Sequence, residues 1–402
     1  MNPQAVPDAV RRGIDACVGC GFCNATCPTY QLSGNELEGP RGRLRLMKSL
    51  TEGAELTAAV RTHLDHCLHC LACETTCPSG VAYAPVIDWA RNAALPGPRR
   101  PLRSRLLRGL ISRGLTVDRL RQCLVGMYRL AGQFGFLSLS GLGSRRPLQK
   151  ADSKASGTAK VLIAAGCADP GFTPNTRRAL RQILDHLGIA WSDEGATGCC
   201  GALDFHMGHT ERAFQAVNAN LARWMIRADE GVEVILVPAS GCGAMLKTYK
   251  DRFDGKGQGA VRALDRLPQI LDPVEFLEAR IDFDRCRKGR ARLVFQAPCS
   301  LQHGQGLEGR VEALLSRLGY EVLKDPQAGR CCGAAGTHVL LEPAISQALK
   351  AAKCQGLNGL AADAIVTANV GCQIHLAGGT QRPVTHWLEW VEAALVPISP
   401  EA

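Results

Sequence analysis

The stretch CVGCGFCNATCP, residues 17–28, places four cysteines within eleven positions and follows the last one with proline. The stretch CLHCLACETTCP, residues 67–78, repeats the same spacing. Both match C-x2-C-x2-C-x3-C-P, the bacterial ferredoxin pattern, in which three closely spaced thiolates hold one cluster and the fourth cysteine ligates the other. The two motifs therefore predict a small domain that holds two 4Fe-4S clusters.

The crossed pattern assigns one ligand from each motif to the cluster of the other motif. The predicted ligands of the first cluster are Cys17, Cys20, Cys23 and Cys77. The predicted ligands of the second cluster are Cys67, Cys70, Cys73 and Cys27. Structural zinc is the alternative, but two C-x2-C pairs satisfy it and leave the third closely spaced cysteine and the proline unexplained. Covalent haem is excluded because Gly21 and Leu71 stand where its motif requires histidine.

Cysteine is the unusual feature of the composition. The chain has 402 residues, enough for two or three domains, and carries 19 cysteines. Its first residues show no apolar leader, so we expect a reducing, cytoplasmic setting rather than a disulfide framework. The longest apolar runs, residues 161–166 and 232–239, fall well short of the roughly 20 residues that a membrane-spanning helix needs.

The positive charge is concentrated in one segment. The net charge is +10, and residues 96–160 hold 14 Lys and Arg against two acidic residues. Helical spacing of apolar residues favours a basic amphipathic segment that rests on an anionic membrane or docks an acidic partner, while a solvated face over a packed helix is the alternative. The residues of this apolar side include Leu102, Leu106, Leu107, Leu110 and Ile111. We expect no nucleic acid partner, because the aromatic content is only 5% and no binding motif accompanies the charge.

The second half of the chain contains a duplication. Cys167, Cys199 and Cys200 recur 132 residues later as Cys299, Cys331 and Cys332, and Cys242 recurs 130 residues later as Cys372. In each copy short apolar runs alternate with helical periods, which predicts a mostly parallel sheet covered by helices. Four of these cysteines follow directly after predicted strands, where open α/β sheets place their sites. They are Cys167, Cys242, Cys299 and Cys372.

The predicted fold is an α+β multidomain protein with four parts. An all-helical, two-cluster ferredoxin domain spans residues 1–95, and a basic helical connection spans 96–158. Two duplicated α/β domains with mostly parallel sheets and a CCG motif follow, at residues 159–290 and 291–402.

The duplicated cysteines are candidate ligands of a further metal centre or reactive thiols, and packing in the core is the alternative. We expect two 4Fe-4S clusters and consider a third iron-sulfur or zinc centre in one copy, with the second copy favoured. His375, three residues after Cys372, is a candidate ligand. We expect the other histidines near these motifs to lie at the surface or beside the sites, and the isolated cysteines to pack in the core. These are His63, His66, His69, His303 and His338, and Cys123, Cys286 and Cys354.

Five longer stretches of the chain carry a resemblance to known proteins. They are CGFCNATCPTYQLSGNELEGPRGR, HLDHCLHCLACETTCPSGVAY, SLQHGQGLEGRVEALLSRLGY, CCGAAGTHVLLEP and IVTANVGCQIHLA. The chain resembles the iron-sulfur subunit of glycolate oxidase, within a group of electron-transfer subunits that also serves lactate, glycerol-3-phosphate and heterodisulfide oxidoreductases. The resemblance covers nearly the whole chain.

The resemblance implies an oxidoreductase complex whose FAD-bearing partner subunits oxidise glycolate to glyoxylate, while this chain passes electrons to membrane quinone from the inner face of the cell membrane. No dinucleotide fingerprint is present, so the flavin is expected on partner chains and no catalytic residue on this one. The alternatives are a subunit of a related lactate or glycerol-3-phosphate dehydrogenase, or a thiol/disulfide catalyst similar to heterodisulfide reductase. Met245 and His375 stand where that reductase has a fifth cysteine, which counts against the last alternative.

Overall fold

A computed structural model describes residues 6–93, 100–116, 160–164, 166–193, 198–253 and 266–395. The first described region contains helices and no strand. Its helices are Asp8–Asp15, Phe22–Thr26, Pro28–Ser33, Pro40–Thr51, Ala58–Asp65, Ala72–Thr76 and Tyr83–Ala93, with a 3-10 turn at Glu36–Glu38. The helix Leu102–Thr116 follows.

The apolar side chains of the long N-terminal helices meet in one core. Val10, Met47, Leu64, Val86 and Ile87 are all buried there. The short helices that follow each cysteine loop begin at left-handed residues, Gly21 in the first motif and Leu71 in the second. The predicted all-helical ferredoxin region is confirmed.

Each duplicated copy forms a four-stranded parallel sheet. In the first copy the strands are β1 (Val161–Ile163), β2 (Trp191–Ser192), β3 (Val234–Leu236) and β4 (Gln269–Leu271), in the order β2-β1-β3-β4. In the second copy they are β5 (Arg292–Phe295), β6 (Glu321–Leu323), β7 (Ala364–Thr367) and β8 (Val384–His386), in the order β6-β5-β7-β8. Identical strand order in both copies confirms the two predicted α/β units with parallel sheets.

Helices surround both sheets. In the first copy the described helices are Asp169–Phe172, Pro174–His186, Ala202–His206, Thr210–Asp229, Ser240–Lys247, Tyr249–Phe253 and Pro273–Leu277. In the second copy they are Cys299–Gln302, Arg310–Arg317, His338–Leu341, Pro343–Asn358, Val370–Ala377 and Trp387–Leu395.

The two sheets share a hydrophobic core. Successive strand residues point to opposite faces, and Val161 and Ile163 of β1 join the same buried cluster as Leu293 and Phe295 of β5. Leu162 lies between Val161 and Ile163 in β1 and points to the opposite face, where it belongs to a separate core within the first copy. The copies are therefore packed against each other through one face of each sheet, and the domain boundaries predicted at residues 158 and 290 stay predictions.

Strand order places both cysteine sites at the same topological point. β1 and β3 are adjacent strands; the chain runs from β1 to β2 at one edge of the sheet and from β3 to β4 at the other edge. β5 and β7 repeat this arrangement in the second sheet. Parallel sheets bind ligands in the crevice at the carboxyl ends of such strands.

Among the described residues, no helix is long and apolar enough to cross a lipid bilayer.

Candidate iron-sulfur centres

The first cavity in the helical region collects cysteines from both motifs. It is lined by Cys17, Cys20 and Cys23 of the first motif and by Cys73 and Cys77 of the second. The pKa of Cys23 rises to about 11 because burial disfavours the thiolate and because Cys17, Cys77 and Cys20 would repel its charge. Four thiols that repel one another when ionised need a cationic centre among them, so this donor set fits a metal cluster.

A second cavity is lined by Cys27, Cys67, Cys70 and Cys73. Burial raises the pKa of Cys73 well above the usual thiol value, and the neighbours that raise it further are Cys70, Cys67 and Cys27. These residues are the predicted ligand set of the second cluster, including the cysteine from the first motif. The arrangement supports the crossed assignment, which stays a prediction.

A buried ion pair joins the segment that follows the first motif to the segment that precedes the second motif. Nη2 of Arg43 donates to Oε2 of Glu38 at 2.7 Å, and Nη1 of Arg43 donates to the hydroxyl of Thr29 at 3.1 Å. His63 and His66 bond to Oε1 of Glu38 through Nδ1 at 2.6 and 2.9 Å. Burial alone would raise the pKa of Glu38, but His66, His63 and Arg43 bring it down to about 2. The motifs did not indicate this network, because neither Glu38 nor Arg43 belongs to the cysteine pattern.

The cysteines of the second copy lie next to the second cavity. Cys70, Cys299 and Cys331 pack together around Leu68. The Sγ atoms of Cys332 and Cys372 are 3.0 Å apart. The pKa of Cys299 is raised well above its usual value by its hydrogen bond with Cys331 and by burial. Four cysteines of this copy thus form a cluster that adjoins the predicted ligands of the second cluster.

The cysteines of the first copy also converge. Cys199 bonds to both Cys167 and Cys200, which hold the pKa of Cys199 well below its usual value. Cys200 also bonds to Cys242, and its bonds with Cys199 and Cys242 together with burial raise its pKa. Each copy therefore brings its four cysteines together, as a third metal centre would require, and ligation at either site stays a prediction.

The remaining sequence candidates are placed as follows. Nε2 of His375 lies 3.3 Å from the hydroxyl of Ser346, so this ring nitrogen already has a contact other than a metal ion. Cys286 and Cys354 are buried, as expected of core residues. Cys123 lies outside the described residues. Nδ1 of His303 bonds to the hydroxyl of Thr75 at 2.9 Å and so joins the second copy to the second cysteine motif.

Comparison with known proteins agrees with these sites. A family model for the 4Fe-4S dicluster domain matches residues 13–81. A model for the cysteine-rich domain matches twice, at residues 161–247 and 293–377. The glycolate oxidase iron-sulfur subunit of Escherichia coli (strain K12) is 39% identical over 392 residues, covering 95% of this chain and 94% of the relative.

The chain belongs to the family of glycolate oxidase iron-sulfur subunits. Two further relatives are more distant. A protein named "Probable glycolate oxidase iron-sulfur subunit" from Bacillus subtilis (strain 168) is 29% identical over 91% of this chain and 89% of its own length. Lactate utilization protein A of Anoxybacillus flavithermus is 27% identical over 55% of this chain and 92% of its own length. The family membership confirms the resemblance identified from the five sequence stretches, and the lactate utilization relative also fits an electron-transfer role.

Proposed function

We propose that this chain receives electrons from FAD-bearing partner subunits that oxidise glycolate to glyoxylate, and delivers them to quinone at the inner face of the cell membrane. The observation that carries the proposal is the contiguous series of cysteine sets. Each of the two cavities is lined by cysteines from both motifs. Cys70 of the second cavity adjoins Cys299 and Cys331 of the second copy. When bound, 4Fe-4S clusters take up and release one electron at a time.

The two cysteine loops differ in what covers them. In the second loop Leu68 and Ala72 are 7% and 2% exposed. At the matching positions of the first loop, Val18 and Phe22 are 75% and 63% exposed, beside the exposed Cys20. An apolar rim around an exposed cysteine is what a partner subunit would cover, so we propose that the flavin subunit docks at the first loop.

Substrate-dependent reduction of the assembled complex tests the proposed function. Adding glycolate under anaerobic conditions is expected to bleach the visible absorption of the iron-sulfur chain only when its flavin subunits are present. Lactate and glycerol 3-phosphate are tested for comparison. If either one bleaches the absorption faster than glycolate does, that compound and not glycolate is the substrate of the complex. Turnover of a disulfide by the isolated chain, without bleaching by any hydroxy acid, would contradict the electron-carrier proposal.

The helix Leu102–Thr116 supports the proposed membrane contact. Arg108 is buried and bonds to Asp65 at 3.4 Å, which fixes one side of the helix against the ferredoxin region. On another side Leu102, Leu106 and Leu110 are 68%, 59% and 65% exposed. Leucines spaced by four residues form one stripe, and exposed arginines adjoin it, which is the pattern of a helix that lies in a membrane surface. These arginines are Arg103, Arg105 and Arg113.

Replacing both Leu106 and Leu110 with glutamine is expected to weaken binding of the chain to vesicles containing anionic lipid at least about tenfold, because each buried leucine contributes roughly 1.5–3 kcal/mol. Co-sedimentation with anionic and with neutral vesicles measures the effect. Ile226→Gln is the control, since Ile226 is 60% exposed on a helix of the first copy. Equal sedimentation of the double variant and the wild type would show that the leucine stripe does not bind membranes.

A further inference from the structure

A histidine occupies a strained position in the second cysteine loop. His69 and Gly19 stand at matching positions of the two motifs, and both have left-handed backbones, with φ of +54° and +74°. Glycine adopts this conformation freely, whereas a side chain is disfavoured there. The first loop avoids this strain, whereas the second accepts it at both His69 and Leu71, the latter matching Gly21. Of these two side chains, only that of His69 has ring nitrogens with which to make a polar contact that glycine cannot make.

That contact joins three segments of the chain. Nε2 of His69 lies 3.0 Å from Oδ1 of Asp88, on the helix Tyr83–Ala93. Nδ1 of His206, at the end of the helix Ala202–His206 in the first copy, lies 3.4 Å from the same oxygen. The three ligand atoms all lie within 4.8 Å of one another, and the two imidazole ring centres are 4.1 Å apart.

The donor groups lie in a buried position between these segments. The side chains of His69 and Asp88 are 9% and 5% exposed. Nδ1 of His206 is buried and has no hydrogen-bond partner among the described residues.

We propose that His69, Asp88 and His206 bind one divalent transition-metal ion of the zinc or ferrous class. Two imidazoles and a carboxylate are a donor set that these ions use. In a tetrahedral site with bonds of 2.0–2.1 Å, ligand atoms are about 3.3 Å apart, close to the separations of 3.0 and 3.4 Å found here.

Arg252 limits how the ion is bound. Its guanidinium donates to Oδ2 of Asp88, which leaves Oδ1 for coordination through one oxygen only. The guanidinium charge opposes a cation, while the thiolates that Cys67 and Cys70 would provide as ligands of the second cluster would favour one. The bound ion would hold the second cysteine loop to the first copy. This inference does not depend on the proposed electron-transfer role.

Zinc binding by the cluster-loaded chain tests the site. The full chain is prepared anaerobically with its iron in place, dialysed against Zn(II), and analysed for zinc and iron by mass spectrometry. We expect the wild type to bind one zinc ion more than His206→Gln. His209→Gln is the matched control, because His209 lies three residues away and bonds to Asp204 instead. X-ray absorption of the additional zinc is expected to show nitrogen and oxygen ligands at about 2.0–2.1 Å.

The variant His69→Gly separates a lost ligand from a damaged fold, since it installs the residue that the first loop uses. It is expected to keep the wild-type iron content and to lose the additional zinc. Equal zinc in the wild type, His206→Gln and His69→Gly would overturn the proposal. An all-sulfur ligand shell would also overturn it, because the zinc would then occupy a cysteine site.

Discussion

Replacing Cys77 with serine is expected to remove the cluster bound by the first motif and to leave the cluster of the second motif in place. Cys77 follows the second motif's loop but lines the cavity formed by Cys17, Cys20 and Cys23. About four of eight irons would be lost, because each cubane holds four. Alkylation of the anaerobic protein followed by peptide mapping measures which thiols have become free.

The expected labelling of the Cys77→Ser variant is on Cys17, Cys20 and Cys23, with Cys67 and Cys70 protected. Cys27→Ser should reverse the pattern, since Cys27 lines the cavity of the second set. Cys286→Ser is the control, because that buried cysteine bonds only to the carbonyl of Asp282 among the described residues and belongs to neither set. Labelling of Cys67, Cys70 and Cys73 in Cys77→Ser would mean that each motif holds its own cluster, contrary to the crossed assignment.

Replacing Arg43 with methionine is expected to destabilise the helical region by roughly 3–5 kcal/mol, the usual effect of removing one partner of a buried ion pair. The Arg43 side chain is 1% exposed, and its loss leaves the carboxylate of Glu38 buried beside two histidines. Lys48→Met on the same helix is the matched control, because the pair of Lys48 and Glu52 is exposed at 58% and 63%. Exposed pairs contribute about 0–1 kcal/mol.

Anaerobic urea unfolding, followed by the circular dichroism and visible absorption of the holoprotein, measures the effect of Arg43→Met. The variant should unfold and lose its visible absorption at a clearly lower urea concentration than the wild type, while Lys48→Met should match the wild type. Equal midpoints for the two variants would show that the network of Arg43, Glu38 and the two histidines does not stabilise the helical region.

The cysteine pattern predicts much of the site because ferredoxin spacing is a local constraint. Three cysteines separated by two residues can turn around one centre. Each cavity contains the four cysteines of one predicted set, but Cys73 lines both cavities, so the two ligand sets stay predictions. Alternating strand and helix units likewise predict the parallel sheets, whose identical orders reflect the duplication.

Contacts between distant segments could not be predicted in this way. The burial of Asp88 beside His206 depends on how the first copy packs on the helical region, which no local period encodes. The core that Ile163 shares with Phe295 could not be predicted either. The sequence of a strand that is buried on both faces does not indicate which face packs against the other copy. One signal was available in the sequence: His69 replaces the glycine of the first motif, and such a replacement indicates a side chain with a specific contact.

Iron, sulfide and zinc analysis of the anaerobically purified chain, together with electron paramagnetic resonance after reduction, tests most directly whether the paired cysteine sets hold iron-sulfur clusters. About eight irons with matching sulfide are expected from two cubanes, and about twelve if the cysteines of one copy bind a further cubane. The reduced protein should bleach and give signals of two interacting clusters. A pale preparation that contains zinc without iron and does not bleach would contradict the account.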